Sequence, residues 1–526
     1  MKFKRHIIMA LALALITTAL GGCATRSNNS NGAGDFSFSS YPIEGDNKLT
    51  YLMFPAEAVT SQFENFGQTE IAKELEKNTG VSVEYLHPAA GQGDQILSLM
   101  IASNDLPDIV EHNWSVYQGG AAKSIADGVI IELNDLIDEH APNLKKFLEE
   151  NPEIDKMIKT DDGKYYAFPF IRNDKLLLKS AGLMIRKDWL KKWNLEMPKT
   201  ISDVEDTLRA FKENGVAIPL SCRQSDTEGL LNLFGTSRGF YVDDGKVVYG
   251  PSTEAYKTAL ETLKRWYKEG LLDGNFLVND KAALDSNVLT GKCGMCIGSG
   301  GGDLGSWLDA TTDPNFEMVG MPNVTQADGS IGYVSMALPY PGDKSAAITT
   351  ACENPELAVR YLDYAYSEEG TNLLNYGIEG VSYTVENGVH KYTDEIYNNP
   401  DGLTTAEAMV KYFRSSTSGP FIQQKDYILG FYYRDLQQES LNAWLECYDE
   451  VVDMQMPAIA FTDSEADENA NIMNEVDTYV SKSRSDFILG TRDLSEFDDY
   501  ISELKGLGIN KAIQIREDAI KRYNKR

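Results

Sequence analysis

The sequence has little histidine and lacks an excess of positive charge. Five of the 526 residues are His, and 79 Asp and Glu outnumber 49 Lys and Arg, which gives a formal net charge of −30. This balance disfavours a nucleic-acid partner, because phosphates need cationic side chains around them. It also disfavours polyanionic ligands, although a local cationic pocket could override the net field. Few imidazoles are available for catalysis.

Long apolar runs are also scarce, and the one near the amino terminus is too short to span a membrane. Residues 7–20 are apolar apart from Thr17 and Thr18, and they follow the cationic Lys2, Lys4 and Arg5. A membrane-spanning helix needs roughly 20 apolar residues. A cationic head, a short apolar run and small residues before a cleavage point are typical of a secretory signal.

The end of this signal indicates a lipid anchor. Leu20-Gly21-Gly22-Cys23 resembles the lipobox of bacterial lipoproteins. The resemblance implies cleavage before Cys23, with lipid on its sulfur and on the new amino terminus; the alternative is a plain secretory signal with a chance Cys. Residues 24–40 are mostly Ser, Asn, Gly and Asp, a composition that predicts a flexible tether.

The cysteine content excludes a fold that depends on disulfides. Six Cys are present, and lipidation of Cys23 leaves an odd number. Cys293 and Cys296 have the spacing of a redox or half-zinc motif, but no second Cys or His pair accompanies them. We therefore interpret them as small buried strand residues, and we expect no cofactor and no metal.

Strands and helices alternate from residue 49. The pattern predicts strands at 49–54, 81–86 and 108–111, with helices at 69–78 and 92–102 between them, which implies a parallel sheet. Ligands bind beyond the carboxyl ends of such strands. The third predicted strand is followed by the first ligand candidates, which are His112, Asn113, Trp114 and Tyr117. For Trp114, packing in the core is an equal alternative.

A second alternating unit begins after Asp162-Gly163-Lys164, which is predicted to be a hairpin-type turn. Residues 200–214 have helical periodicity, with Ser202 and Glu205 as the predicted capping box. The next predicted strand, 216–221, leads to Arg223 and Gln224. Later helices are predicted at 252–269, 355–368, 494–505 and 513–523.

Three segments match motifs of known chemistry, but each is better explained without that chemistry. Gly235-Thr236-Ser237-Arg238-Gly239 matches a nucleophile elbow, but the following residues, 240–249, have the pattern of a β-hairpin rather than a helix. Gly300, Gly302 and Gly305 match a nucleotide-binding pattern that is weak alone, and a flexible loop beside the cleft fits better. The acidic run at 463–468 is more typical of a solvated helix start than of a metal site.

Several ordered segments together resemble one family: the extracellular solute-binding proteins of ABC importers, specifically the large sugar-binding lipoproteins of the maltose-binding-like superfamily (family 1). The resemblance covers nearly the whole chain after the tether. The matching segments are Ala102-Ser103-Asn104-Asp105-Leu106-Pro107-Asp108-Ile109, Asp162-Gly163-Lys164-Tyr165-Tyr166-Ala167-Phe168-Pro169, Ile185-Arg186-Lys187-Asp188-Trp189-Leu190, Pro198-Lys199-Thr200, and residues 267–273, 362–370 and 487–498.

The resemblance implies an α/β, two-lobed, periplasmic-binding-protein-like (type II, Venus-flytrap) fold with a hinge and an interlobe cleft. It implies a signal peptide at 1–22, the lipidated Cys and tether at 23–40, a first lobe of 41–169 with 336–385, and a second lobe of 170–335 with 386–526. The chain is expected to cross between lobes near Pro169, Tyr333–Leu338 and Tyr383–His390. Relatives often carry a calcium loop after the helix that ends near Phe211; here Glu213 and Asn214 offer too few oxygens, so we expect no calcium there.

Sugar rings present apolar faces and many hydroxyl groups, so a sugar cleft needs aromatic and polar side chains. The candidates are His112, Asn113, Trp114, Tyr117, Arg172, Arg223, Gln224 and Trp307, with Tyr340 and Tyr376 as weaker ones. The expected protein is a monomeric, membrane-anchored carbohydrate-binding subunit that delivers an oligosaccharide to ABC permease subunits and does no covalent chemistry. Alternatives are a binder of peptides or other polar solutes, a secreted carbohydrate-active enzyme and a surface adhesion protein.

Overall fold

The structure is a computed structural model, and it describes residues 40–55, 57–89, 92–342, 345–414 and 419–526. The predicted signal, Cys23 and all but the last residue of the predicted tether lie outside the described residues. No helix in the described ranges is both long enough and apolar enough to cross a membrane.

Short helices separate the strands in the amino-terminal third. The elements are β1 (Asn47–Leu52), α1 (Glu57–Thr60), α2 (Glu70–Thr79), β2 (Val81–Leu86), α3 (Gly93–Ser103), β3 (Ile109–His112), α4 (Gly120–Ala126), α5 (Asn134–His140), α6 (Pro142–Glu150), α7 (Pro152–Met157) and β4 (Ile171–Arg172).

The middle of the chain repeats this alternation. The elements are β5 (Ala181–Arg186), α8 (Lys187–Trp193), α9 (Ile201–Glu213), β6 (Ile218–Ser221), α10 (Thr227–Asn232), β7 (Phe240–Asp243), β8 (Lys246–Tyr249), α11 (Glu254–Glu269), α12 (Lys281–Leu289), β9 (Cys293–Ser299), α13 (Ser306–Ala310) and β10 (Met318–Gly320).

The last part of the chain is mostly helical. The elements are β11 (Ser345–Ile348), α14 (Pro355–Asp363), α15 (Glu368–Tyr376), β12 (Tyr383–Glu386), β13 (Val389–Tyr392), α16 (Asp394–Tyr397), α17 (Thr405–Tyr412), β14 (Ile422–Gln423), α18 (Lys425–Phe431), α19 (Asp435–Leu445), α20 (Tyr448–Val451), α21 (Asp463–Leu489), α22 (Phe497–Gly506) and α23 (Ile509–Tyr523).

Two four-stranded sheets define two lobes. The sheet of the first lobe has the order β11-β3-β1-β2, with β1 parallel to β2 and β3. The sheet of the second lobe has the order β10-β5-β9-β6, with β6 parallel to β9 and β5 antiparallel to it. Each sheet has its own apolar core. The predicted α/β alternation is thus confirmed in both lobes.

Local capping explains where the predicted helices begin and end. Thr69 accepts a hydrogen bond from the Ala72 N–H at the start of α2, and Gly80 ends that helix at φ +72°. The helix predicted at 200–214 is confirmed as α9, but its capping box is Thr200 with Asp203, so the predicted pair was wrong by two residues. Thr200 has the extended backbone that an N-cap residue adopts, whereas Ser202 already lies inside the helix.

The capping-box partner predicted for α9 has another role. The Glu205 carboxylate accepts a hydrogen bond from Trp266 Nε1 at 3.0 Å and pairs with Arg265, and these bonds join α9 to α11. The pKa of Glu205 is lowered to about 2, because these hydrogen bonds outweigh the effect of partial burial.

The chain passes between the lobes at a small hinge sheet. Strand β4 pairs in parallel with β14, so Ile171 lies beside Ile422. Residues 383–390, where a crossing is expected, lie within the β12–β13 hairpin, and the position of that crossing stays a prediction. Asn387 and Gly388 both have positive φ, +54° and +80°, and close this hairpin as a two-residue turn.

Residues around β14 contribute to the core of the first lobe. Val410, Phe421 and Ile422 pack into the core of the first lobe, although they belong to the segment assigned to the second lobe from sequence. The exact lobe boundaries stay a prediction.

Three other predictions about motifs are confirmed. Residues 240–249, which follow the Gly235–Gly239 motif, form the hairpin β7–β8 rather than the helix that a nucleophile elbow needs. Cys293 and Cys296 are buried in β9 with free thiols. The acidic run at 463–468 begins α21, where Thr462 and Glu465 form the capping box. The helix predicted at 355–368 is divided, because Ser367 caps the separate helix α15.

Candidate ligand-binding cleft

In the first lobe, three strand ends bring together two imidazoles and an aromatic ring. His87 follows β2, His112 ends β3, and Phe54 lies two residues after β1. The rings of Phe54 and His112 are 6.5 Å apart. Because these strands are parallel, their carboxyl ends meet at one edge of the sheet, where α/β proteins bind ligands.

The hydrogen bonds of His87 indicate a neutral ring with its proton on Nδ1. The Phe66 N–H donates to His87 Nε2 at 3.0 Å, so this nitrogen carries a lone pair. His87 Nδ1 lies 3.2 Å from the Met53 carbonyl oxygen and donates to it. Burial also lowers the pKa of His87 and that of His112. Both rings are therefore neutral hydrogen-bonding groups at pH 7.

The remaining first-lobe candidates lie in the turn after β3. The Asn113 side-chain oxygen accepts from the Ser115 N–H at 3.1 Å and so caps this turn. The Trp114 side chain is fully buried in the first lobe. Tyr117 is partly exposed, and its hydroxyl donates to Asp127 at 3.1 Å. A buried Trp114 cannot contact a ligand in this conformation, so we exclude it from the site proposed below.

In the second lobe, the ends of β6 and β9 carry an ion-pair network. Arg223 donates from Nη1 and Nη2 to the two carboxylate oxygens of Asp303, at 3.1 and 3.2 Å. Its Nε donates to Asp226 at 2.9 Å. Asp303 is itself buried, and the Ser299 N–H and hydroxyl donate to it. Gln224, next to Arg223, is exposed.

The glycine-rich segment predicted as a loop is a π-helical turn, Gly300–Gly305. Its two first glycines allow close contact with aromatic rings from the 431–434 segment. A Cβ on Gly300 would lie 2.5 Å from the Tyr432 ring, and one on Gly301 would lie 2.5 Å from Phe431. Trp307, just beyond this turn, is buried and donates to Asp285 at 2.8 Å, so it too is excluded from the proposed site.

The 431–434 segment runs from the last residue of α18 to the residue before α19 and carries three aromatic side chains. Phe431 and Tyr433 are partly exposed. Arg434 lies 4.5 Å from the centre of the Tyr433 ring and is bound to Asp309. The sequence analysis missed this segment, as it missed Phe54 and His87. Its Phe-Tyr-Tyr-Arg composition is itself suited to sugar binding.

The other candidates are hinge residues. Arg172 lies on β4, where its N–H donates to the Pro339 carbonyl and its guanidinium carbon lies 5.4 Å from the centre of the Phe170 ring. Tyr340 and Tyr376 are buried, and the Tyr376 hydroxyl donates to Gln424 at 2.7 Å. These two tyrosines therefore pack the hinge region rather than present a ring to a ligand.

A cavity of about 660 Å³ lies in the second lobe between β7, the 326–333 loop and α20. Tyr241 and Tyr333 stack beside it with ring centres 4.7 Å apart. Three carboxylates line it, those of Asp243, Asp328 and Glu450, and Lys and Arg are absent from its described lining. No group of three or more His, Cys, Asp or Glu within the described residues is arranged to hold a metal ion.

Two α/β lobes, each built on a four-stranded sheet and joined through the β4–β14 pair, are the architecture of a two-lobed solute-binding protein. The chain belongs to the bacterial extracellular solute-binding protein family, whose profile matches residues 61–372. The family places the protein outside the cytoplasm.

Comparison with known proteins shows similarity over the whole length. The chain is 26% identical to the fructooligosaccharide ABC transporter substrate-binding protein FusA of Streptococcus pneumoniae serotype 4, over an alignment of 564 positions that covers 99% of both proteins. It is 25% identical to lipoprotein LipO of Bacillus subtilis, over 96% of each. The crystal structure of the alginate-binding protein AlgQ2 without calcium ion has a TM-score of 0.73, at 24% identity, over 92% of this chain and 99% of that one.

Proposed function

We propose that the protein is the substrate-binding subunit of an ABC importer, which captures an oligosaccharide between its lobes and delivers it unchanged to the permease. It acts as a monomer with a first lobe of residues 41–169 and 336–385 and a second lobe formed by 170–335 and 386–526. The observation that carries this proposal is the two-lobed fold, in which each lobe has its own four-stranded sheet with aromatic and polar side chains after its strand ends. FusA, which is similar over its full length, is named as a fructooligosaccharide-binding subunit.

The proposed site combines a subset of the predicted residues with neighbours found in the structure. The first lobe contributes His112, Asn113 and Tyr117 with Phe54 and His87, and the second lobe contributes Arg223, Gln224, Phe431 and Tyr433, with Arg172 at the hinge. Ligand contacts to both lobes would favour the closed conformation, because a ligand shifts an equilibrium by its difference in affinity for the two states.

Replacing Tyr433 with Ala should weaken oligosaccharide binding about tenfold. A stacked sugar ring covers roughly 50 Å² of apolar surface, worth about 1.3 kcal/mol at ~25 cal/mol per Å². Isothermal titration calorimetry of the protein from residue 24 onward, with kestose and a panel of neutral oligosaccharides, measures the affinity. Chromatography of the recovered ligand tests whether it is unchanged, and light scattering tests for a monomer.

The matched control is Tyr267→Ala, because Tyr267 is a partly buried tyrosine in the same lobe at the far end of α11. It should bind like the wild type. Recovery of cleaved ligand would show an enzyme, and absence of binding by any oligosaccharide in the wild type would refute the proposed function.

The proposed anchor is Cys23, and the similarity to lipoprotein LipO supports it. Cys23→Ala should move the protein from the membrane fraction to the soluble extracytoplasmic fraction, because the acyl chains supply ~0.8 kcal/mol per buried methylene. Immunoblots of fractionated cells and the mass of the amino-terminal peptide measure this. An unchanged membrane fraction would contradict the lipid anchor.

A further inference from the structure

We infer that the cleft takes uncharged oligosaccharides and rejects oligosaccharides whose rings carry carboxylates. This inference rests on the proposed function and narrows it to one class of substrate. The distinction between charged and neutral ligands is relevant to this fold. Solved structures similar to this chain include both an alginate-binding protein and a complex of FusA with kestose.

Arg223, which follows β6, and Arg434, which precedes α19, are both already bound to carboxylates. Arg223 forms two parallel hydrogen bonds to Asp303 and a third to Asp226. A uronate that recruited this guanidinium would displace one of these partners. Since the Asp303 side chain is only 3% exposed, its carboxylate would then lose a bidentate cation inside the protein.

Arg434 is likewise already bound to a carboxylate, that of Asp309. Its guanidinium also lies over the Tyr433 ring and reaches the Gly305 carbonyl at 3.5 Å. The Tyr433 ring is partly exposed, and its centre lies 4.4 Å from that of Tyr397. An aromatic face suits the apolar face of a neutral sugar ring better than it suits a carboxylate, because the ring's π-face is negative.

In the first lobe, the two histidines at the strand ends, His87 and His112, are neutral. His87 accepts a hydrogen bond on one nitrogen and donates from the other, so it has no spare proton. His112 lies 4.0 Å from Asp94, and its ring packs against Phe54 and Trp114. Both nitrogens of His87 are therefore already used within the protein, and a neutral His112 ring can form hydrogen bonds with hydroxyl groups but gives little charge stabilisation to a carboxylate.

Negative charge also surrounds the second-lobe cavity and dominates the chain as a whole. The second-lobe cavity is lined by Asp243, Asp328 and Glu450. Lys179, close to the hinge, already donates to the Ser335 carbonyl at 2.7 Å, and burial lowers its pKa to about 8. With a net charge of −30 on the whole chain, approach of a polyanion is disfavoured at long range as well.

The test compares ligands that differ only in charge. Calorimetry on the wild-type protein would use trigalacturonate, its fully methyl-esterified form, and neutral trisaccharides that include kestose, maltotriose and mannotriose, each at 50 and 500 mM NaCl. We expect at least one neutral trisaccharide to bind at least 100-fold more tightly than trigalacturonate. Its Kd should change less than twofold with salt, because no ion pair with the ligand is screened.

A variant extends the test to the arginine. Asp226→Asn removes one of the two carboxylates on Arg223, so the ratio of uronate to neutral affinity should rise about tenfold. Asp206→Asn is the control, because it makes the same charge change on the exposed face of α9, away from the strand ends.

Two results would overturn the inference and are distinct from failure of the proposed function. Trigalacturonate binding as tightly as the best neutral trisaccharide, or more tightly, would show a uronate site, as would a more than tenfold loss of affinity for the best ligand at high salt. Absence of binding by every ligand of either charge would instead refute the proposed function, and this inference with it.

Discussion

Replacing Glu111 with Gln should lower the free energy of unfolding by about 3–5 kcal/mol, the usual cost of breaking a buried ion pair. Glu111 and Arg414 form such a pair at 2.6 Å, with side chains 0% and 5% exposed. The Tyr51 hydroxyl also donates to the Glu111 carboxylate at 2.8 Å. Glutamine keeps the shape of the side chain but removes the charge, while the guanidinium stays protonated at any accessible pH.

The pair matters for the cleft because of its place in the chain. Glu111 immediately precedes His112 at the end of β3, and Arg414 lies between α17 and the hinge strand β14. The pair therefore joins the segment before β14 to the strand that carries the first-lobe candidate residues. We expect Glu111→Gln to weaken ligand binding as well as stability.

Urea unfolding followed by circular dichroism measures the change. The control is Glu386→Gln, since Glu386 pairs with Lys391 on the β12–β13 hairpin and both side chains are 57% exposed. Such exposed pairs contribute at most about 1 kcal/mol. A Glu111→Gln protein as stable as Glu386→Gln would show that the buried pair is not stabilising.

The sequence predicts the two α/β lobes well because hydrophobic periodicity and capping are local. The helix at 69–78 and the strand at 81–86 each follow from a few adjacent side chains. The hinge is different, because β4 and β14 are two-residue strands about 250 positions apart. Pairing of that kind leaves no local pattern. The hairpin at 383–392 could have been predicted, since Asn387-Gly388 is a strong turn pair.

The candidate site is only partly predictable for a related reason. A residue that directly follows a strand lies near the edge of the sheet, but the sequence does not show which way its side chain points. His112 and Trp114 are two residues apart at the same edge, yet Trp114 points into the core. The aromatic 431–434 segment reaches the edge through tertiary packing of Tyr432 on Gly300, which periodicity cannot reveal.

The C-terminal helix is joined to the first lobe by a second charge network. Arg522 Nε donates to Asp161 at 2.7 Å, and Arg526 Nη2 donates to the other oxygen of the same carboxylate at 2.7 Å. The Arg526 side chain is 1% exposed and that of Asp161 is 23% exposed. Asp161 lies in the turn before the first-lobe segment that enters the hinge, whereas α23 packs on the core of the second lobe.

Asp161→Asn should lower the free energy of unfolding by about 2–3 kcal/mol, less than Glu111→Gln because Asp161 is partly exposed. The variant leaves two guanidinium groups facing each other without the carboxylate between them. Because this network joins the two lobes, we also expect the radius of gyration of the ligand-free protein to rise, which small-angle X-ray scattering measures together with urea unfolding.

Asp518→Asn is the matched control, because Asp518 pairs with Lys521 on the same helix and the two side chains are 45% and 65% exposed. It makes the same charge change within α23 but touches no first-lobe residue in its ion pair. Stability should change by less than about 0.5 kcal/mol and the radius of gyration should stay constant. If Asp161→Asn matched this control in both measurements, the network would be a surface feature. If it lost stability with no change in size, the network would stabilise the fold without influencing how far the lobes open.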